Sequence, residues 1–491
     1  MQIPSEIAEP RPAVCGLVMS EEPTPRILLV KRAPSLRFMA NYHVFPGGRI
    51  DREEGVHRVI NAPDEATARA IHAVAREVFE EAGILCCCDC PPPLEQRKAW
   101  QHGLLAGERS FDAILDDAGV ALDADRFEAA GRWVTPIFAP MRFDTQYFLY
   151  RHAGECSACH EDGEIVAVDW MTAPEARRRW HEGELRIPPP VAYALEQLAR
   201  HAYPASVPCL QRTTERAPGL PGRLELRHGV HLVPLASDAL PPATHTNCFV
   251  VGDESLVVID PAPTEESETR YLIEQLESMG GGVTSILLTH SHRDHVGAAE
   301  RLRDHFGVPI RAHGETARQV AFEVDSLIED GEIIRVQGGA GWQLEAIHTP
   351  GHDPGHLCFL ERATKTLLAG DMVANPGTVV ISRRIGGDMD AFLTSLERLL
   401  SVEFKMLLPS HGMPVRKPKE YLQKTIEHRL WREERIRAAF EEGLRTMETI
   451  VPKAYDDTPE ALWPLARESV EAHLVRLGLS LDSNSAIVEA P

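Results

Sequence analysis

The sequence predicts a multidomain protein of α/β and α+β character with a helical ending, and three observations predict it. At 491 residues the chain exceeds what one ordinary core accommodates, and about three domains is the expectation. Short apolar runs recur that close on a histidine, an aspartate or a glycine turn and then give way to helical periodicity, the rhythm of α/β units. After Pro418 the strand-like runs stop and helical spacing takes over. Apolar content of 43% and charged content of 25% are those of globular protein. No apolar run approaches the roughly 18 residues a membrane helix needs. The amino terminus lacks a basic start and an apolar core, so no export signal is expected. The ten cysteines are bunched (Cys86, Cys87, Cys88, Cys90, then Cys156 and Cys159) rather than spaced as a disulfide framework. A cytoplasmic location follows as the expectation. The net charge of −22 favours small substrates over long polyanions, because sequence-blind nucleic-acid binding needs a basic surface.

In chain order, Pro25 to Val30 is a strand-like run leading into Lys31-Arg32, and Val44-Phe45-Pro46-Gly47-Gly48 is a strand ending in a glycine turn. From Asn61, a plausible cap, the pattern turns helical, with Ile71, Val74 and Val78 on one face and Gly83 as the stop. Glu77, Glu80 and Glu81 fall at helical spacing near its end, so their carboxylates share a face. Like charges so placed repel unless a divalent cation sits among them, and hard oxygen ligands suit magnesium or manganese. Arg76-Glu77-Val78-Phe79-Glu80-Glu81-Ala82-Gly83-Ile84 resembles the second half of the Nudix box, which implies an α/β/α sandwich that hydrolyses diphosphates, with Glu77 and Glu80 as catalytic ligands. The first half departs from the family. Gly48 lies 28 residues before Arg76, the first glutamate position holds Ala68, and an acidic insertion with Asp51, Glu53, Glu54, Asp64 and Glu65 fills the gap. The run from Leu28 to Gly48 further resembles the signature of coenzyme A diphosphatases, departing at Val30 and Asn41. That resemblance assigns Arg32, Arg37, Gly47 and Gly48 to the substrate, the arginines meeting nucleotide phosphates. Glu164, opening the run to Trp170, is a further candidate ligand or base.

Residues 204–223 are rich in proline and glycine without periodicity and read as a linker. Beyond it, Thr284 to Leu288 is a buried strand that ends in Thr289-His290-Ser291-His292-Arg293-Asp294-His295. Three imidazoles and a carboxylate on one tight loop are explained by a metal and not by packing. Nitrogen and oxygen donors without cysteine point to a catalytic site. His348-Thr-Pro-Gly-His352, Leu367-Leu-Ala-Gly-Asp371 and Leu407-Leu-Pro-Ser-His411 each end an apolar run in a further ligand type, and Asp260 closes Leu256 to Ile259. These five motifs, in this order, resemble the metallo-β-lactamase superfamily, which implies an αβ/βα sandwich with a two-metal hydrolytic site. The metals would be zinc, or iron or manganese. By residue type, His290, His292 and His352 would hold one ion, Asp294, His295 and His411 the other, and Asp371 would bridge. Asp294 is also a candidate catalytic group. Asp260 and Asp353 would orient ligand imidazoles from behind, and His356 would stand behind the ligands or face the substrate.

The helical ending, Glu427 to Glu442, Met447 to Tyr455 and Pro459 to Arg476, resembles the winged-helix tail of lactamase-like hydrolases related to the superfamily's mitochondrial endoribonuclease. Residues 430–480 hold seven Lys or Arg against ten Asp or Glu, so this segment is expected to cap the site and not to grip nucleic acid. The expected organisation is a Nudix-like domain over 1–203, the linker, a metallo-β-lactamase-fold domain over 224–425 and a winged-helix cap over 426–482. Two functional readings follow. One is a bifunctional hydrolase acting on a nucleotide diphosphate such as coenzyme A and on a thioester or phosphodiester. The other is an endoribonuclease-like hydrolase, with RNA as substrate, whose Nudix half only binds a nucleotide and regulates.

Overall fold

The computed structural model describes residues 9–482 apart from 37–38, 52–53, 87–91, 136–140, 154–156, 162, 212–214, 218–219, 242, 339–340 and 416. The chain divides into two compact units, Pro4–His228 and Gly229–Pro491. Among the described residues, no helix is long and apolar enough to cross a membrane.

The first unit is built on one mixed sheet. Arg11–Ser20 lies at its centre, parallel to Phe143–His152 and antiparallel to Arg26–Arg32. Ile165–Thr172 pairs with Arg26–Arg32. The helix α1 (Glu65–Ala82) packs on one face through Ile71, Val74, Val78 and Phe79, all buried. Each such side chain contributes roughly 1.5–3 kcal/mol. Its cap is Asp64, whose carboxylate accepts from Thr67 N at 2.7 Å, and not the expected Asn61. Asn61 instead adopts a left-handed backbone and donates to Asp123 at 3.0 Å, which ends the preceding strand. Gly83 closes the helix in the left-handed region, as its sequence position predicts.

Within the stretch 204–223, the segment up to Gln211 packs on the first unit. Val207–Gln211 is helical, Val207 and Leu210 are buried in the first unit's core, and Tyr193 donates to Cys209 O at 2.8 Å. Its apolar residues found a core to join, which counting proline and glycine does not reveal.

The second unit carries two sheets. One runs through Val230–Ala236, His245–Gly252, Ser255–Ile259, Gly282–Leu287 and Ile310–Ala312, the other through Gln343–His348, Leu357–Glu361, Thr366–Leu368 and Met406–Leu408. Helices cover each sheet. Leu272, Leu276 and Leu302 pack on the first, and α2 (Met389–Ser401) packs on the second through Phe392, Leu396 and Leu399. Three further helices follow, α3 (Pro418–Glu441), α4 (Met447–Ala454) and α5 (Trp463–Leu477). The first begins at Pro418, nine residues before the expected Glu427, because Leu422 and Ile426 complete the core over the second sheet.

Candidate functional site

The motifs singled out in the second half each place their metal-type residues shortly after a strand ends, with Asp294 and His295 in a single turn of helix, Arg293–Val296. His290 follows Gly282–Leu287, His352 follows Gln343–His348, Asp371 follows Thr366–Leu368, and His411 follows Met406–Leu408. Strand ends hold the chain rigidly, so their loops deliver side chains to one point. Three groups converge there, each with donor atoms within 4.8 Å of one another: His290, His292 and His352; Asp294, His295 and His411; and His290, His295 and Asp371. In the first group His292 Nδ1 lies 3.0 Å from both His290 Nε2 and His352 Nε2. In the second, His411 Nε2 lies 3.4 Å from Asp294 Oδ2. Asp371 spans them. Its Oδ1 is 3.4 Å from His411 Nε2 and 3.6 Å from His295 Nε2, while its Oδ2 is 3.4 Å from His352 Nε2. His295 Nε2 and Asp371 Oδ1 are buried without a hydrogen-bond partner. A polar atom so placed is costly unless something satisfies it, and two divalent ions fit this donor set and these spacings.

The far nitrogens are anchored. His295 Nδ1 donates to Asp260 Oδ2 at 2.8 Å, and the same carboxylate accepts from Thr289 N and Thr289 Oγ1 at 2.8 and 2.7 Å. Asp260 holds a left-handed backbone, φ 54°, to aim it there, a strain of about 1 kcal/mol or more that functional sites tolerate. His411 Nδ1 donates to His245 O at 3.0 Å and His352 Nδ1 to Val380 O at 2.8 Å. Each bond fixes a tautomer and turns the other nitrogen inward. His356 is fully buried behind Asp371. Its Nε2 accepts from Asp371 N at 3.0 Å and its Nδ1 lies 2.8 Å from Thr349 Oγ1. Asp353 touches no ligand imidazole. It accepts from Ser291 Oγ, between His290 and His292, and from Gly355 N at 2.7 Å, so it braces the loops instead.

Electrostatics divides the cluster. Burial, with crowding by other imidazoles, holds His290 well below the usual histidine range and takes His292 to about 3. Burial works the same way on His295, yet Asp294, Asp371 and Asp260 overcome it and push it up to about 9. Burial raises the Asp371 carboxyl, but His411 and His295 outweigh it and hold it well below the usual range. One side offers neutral nitrogens, while on the other the Asp294 and Asp371 carboxylates and the His295 and His411 imidazoles answer one another's charge.

In the first unit Glu77, Glu80 and Glu81 share the end of α1, where Arg76 gathers two of the carboxylates and the third turns to a backbone amide. Arg76 Nη1 lies 3.1 Å from both Glu77 and Glu80, and Glu81 accepts from Gly47 N at 3.1 Å. Burial and neighbouring carboxylates push Glu77 up to about 7 and Glu81 well above its usual range. Crowded, half-neutralised carboxylates are what a hard cation relieves. Arg32 turns inward, Nη1 3.8 Å from Glu81, and lies 4.0 Å from the exposed Glu164; Arg37 lies outside the described residues. At Gly48 a Cβ would stand 2.2 Å from Glu77 Oε1, so a side chain there would displace the Glu77 carboxylate. Gly48→Ala is therefore expected to weaken manganese binding by the first unit, measured by titration, by about tenfold. Unchanged affinity would separate Glu77 from the cation.

Glu54, from the insertion, went unrecognised in the sequence. It is buried, accepts from Arg76 Nη2 at 2.8 Å and lies 2.5 Å from His72 Nδ1, whose Nε2 is 2.8 Å from Asp112. A histidine one turn before Arg76 was the available signal. Of the clustered cysteines, Cys86 and Cys159 are buried, and Cys87, Cys88, Cys90 and Cys156 lie outside the described residues.

The family model described as the metallo-β-lactamase superfamily matches residues 241–411. The hydroxyacylglutathione hydrolase GloC of Haemophilus influenzae is 33% identical to this chain over 28% of it and 70% of that protein. The chain belongs to the metallo-β-lactamase superfamily. A β-lactamase-like protein 2 homolog of Drosophila melanogaster is 29% identical, covering 47% of this chain and 82% of its own. The solved structure of a metallo-β-lactamase family protein of Thermus thermophilus matches with TM-score 0.43 and 22% identity over 52% of this chain and 94% of that one. This superfamily member also matches the NUDT19 Nudix domain over residues 55–198 and the β-lactamase-associated winged helix domain over 446–478. It is a metal-dependent hydrolase with three recognisable modules.

Proposed function

We propose that the second unit hydrolyses a thioester of a small thiol carrier, and that the first unit hydrolyses the diphosphate of a nucleotide such as coenzyme A. One observation carries the first half of this reading. Asp371 directs one carboxylate oxygen to His295 and His411 and the other to His352, the disposition of a group shared by two ions. His290, His292 and His352 would hold one ion, and Asp294, His295 and His411 the other. Zinc, iron or manganese suits these donors. When bound, the pair supplies water activation near neutral pH and absorbs charge developing on the carbonyl oxygen. Asp260 keeps His295 oriented, and His356 holds the Asp371 backbone in register. Asp294 stays ionised as a proton acceptor, since His295 and His411 overcome the upward push of burial.

The thioester is supported by the relative named as a hydroxyacylglutathione hydrolase. RNA is disfavoured by the cap. Arg429 and Arg432 are buried there, Arg429 on Val379 O and Arg432 on Ala454 O and Asp457, so neither guanidinium faces a polyanion. The deciding assay compares acyl-coenzyme A, acyl-glutathione and single-stranded RNA with the purified chain. Cleavage of RNA alone, lost in His411→Ala, would reverse the assignment.

In the first unit Glu77, Glu80 and Glu81 would hold magnesium or manganese, and Arg32 and Arg37 would meet the phosphates. Arg32→Ala should raise KM for coenzyme A by about tenfold, the loss of one charge-assisted hydrogen bond, with kcat little changed. Unaltered KM would remove Arg32 from the phosphate site. A second reading, nucleotide binding without turnover, is favoured by the hold of Arg76 on Glu77 and Glu80.

A further inference from the structure

We infer that the C-terminal helices belong to the scaffold of the metal centre, Arg429 of α3 and Glu468 of α5 positioning His352 through the segment that carries Val380; this rests on the ligand role proposed for His352.

His352 Nδ1 donates to Val380 O at 2.8 Å, which leaves the Nε2 lone pair facing His292 and Asp371. Residues 376–382 belong to no helix or strand, so no hydrogen-bonded ladder fixes the direction of that carbonyl. Something else must. On one side of Val380, Arg429 Nη2 donates to Val379 O. On the other, Ser382 Oγ donates to Glu468 Oε2 at 2.7 Å, and Arg384 Nε lies 3.4 Å from Glu468 Oε1. The appended helices therefore clamp the chain on both sides of the carbonyl that orients His352. The apolar side chains agree, since Val379 and Ile381 are buried in one core with Ile426 of α3 and Ala472 of α5.

Arg429 reaches a second support of the same ligand. Its guanidinium sits over the Phe392 ring, 5.4 Å from the centroid. Gly351, immediately before His352, backs onto Phe392 so closely that a Cβ would lie 2.3 Å from the Phe392 Cα. Asp388 N donates to Gly351 O at 2.8 Å, and Ser395 Oγ donates to Pro350 O at 2.7 Å. One buried side chain thus touches both walls of the His352 loop. Burying a guanidinium on a carbonyl and a ring face, with its Nε unpartnered, is a poor way to gain stability. Placing the Val379 carbonyl explains why the position is an arginine and not another leucine.

The test titrates cobalt(II) into the metal-free full-length chain and follows both affinity and the ligand-field spectrum. Arg429→Gln should weaken one of the two ions by about tenfold, as loss of outer hydrogen bonds to a ligand does, and should change that ion's spectrum. Val470→Ala, a cavity in the core shared by α4, α5 and the later turns of α3, which includes none of residues 379–382, should lower Tm and leave affinity and spectrum alone. Unchanged cobalt binding in Arg429→Gln would overturn the inference, and so would an equal loss in Val470→Ala. Should Arg429→Gln fail to fold, Glu468→Gln, which loosens Ser382 and Arg384, is judged by the same two readouts. His352→Ala separates the two levels. Retention of both ions there would refute the ligand assignment itself, whereas loss of one ion there with no change in Arg429→Gln would refute only the role of the helices.

Discussion

Asp371→Asn should abolish hydrolysis of the thioester, lowering kcat/KM by at least about 10³-fold, the scale of losing a principal charge-stabilising group, while the chain stays folded. The carboxylate is the only candidate ligand whose two oxygens face different imidazoles, His295 and His411 on one side and His352 on the other. An amide keeps the volume and one oxygen but replaces the other with a donor, which cannot serve as a ligand. Elemental analysis should then show fewer than two ions per chain. Stability should fall modestly as well. Burial raises the Asp371 carboxyl, yet His411 and His295 outweigh it and hold it well below its usual range, so the ionised form contributes stability at neutral pH that the amide gives up. Two ions retained with full activity would remove Asp371 from the centre.

The centre was legible because ligand chemistry dictates residue type. Histidine and aspartate seldom crowd together for packing reasons, so His290, His292, Asp294, His295, His352, Asp371 and His411 stand out after apolar runs, and their donor atoms do converge. What holds them was not legible in the same way. His352 and His411 are oriented by the carbonyls of Val380 and His245, and every residue has a carbonyl. Asp353 is acidic and adjacent to a ligand, which suggested a contact with imidazole; geometry sends it to Ser291 and Gly355 instead. His356 could have pointed either way until its burial put it behind Asp371. In the first unit, Glu54 was hidden because an insertion brings it to Arg76 from 22 residues upstream, beyond helical spacing. The helix start was misplaced by three residues for a local reason. Asn61 and Asp64 are both good caps, and the left-handed backbone of Asn61 decides between them.

The two chemistries should be separable by single substitutions. Glu80→Gln is expected to lower diphosphate hydrolysis by about 10²–10⁴-fold, the range for removing a group that handles protons or their metal-held equivalent, and to leave thioester hydrolysis unchanged. His292→Ala should do the reverse. The argument is local to each unit. Glu80 lies at the end of α1, its carboxylate held by Arg76, within a core made of residues from the first unit alone. His292 meets His290 and His352, each fixed by neighbours from the second unit. Among the described residues, the converging groups of His and Asp donors draw on the second unit alone. Assaying both variants against coenzyme A and an acyl thioester in parallel gives a two-by-two outcome. Loss of both activities in either variant, with the fold intact by circular dichroism, would mean one composite site. Glu80→Gln with no effect on any diphosphate would instead mark the first unit as a nucleotide-binding module in which Arg76, and not a cation, answers the charge of Glu77 and Glu80.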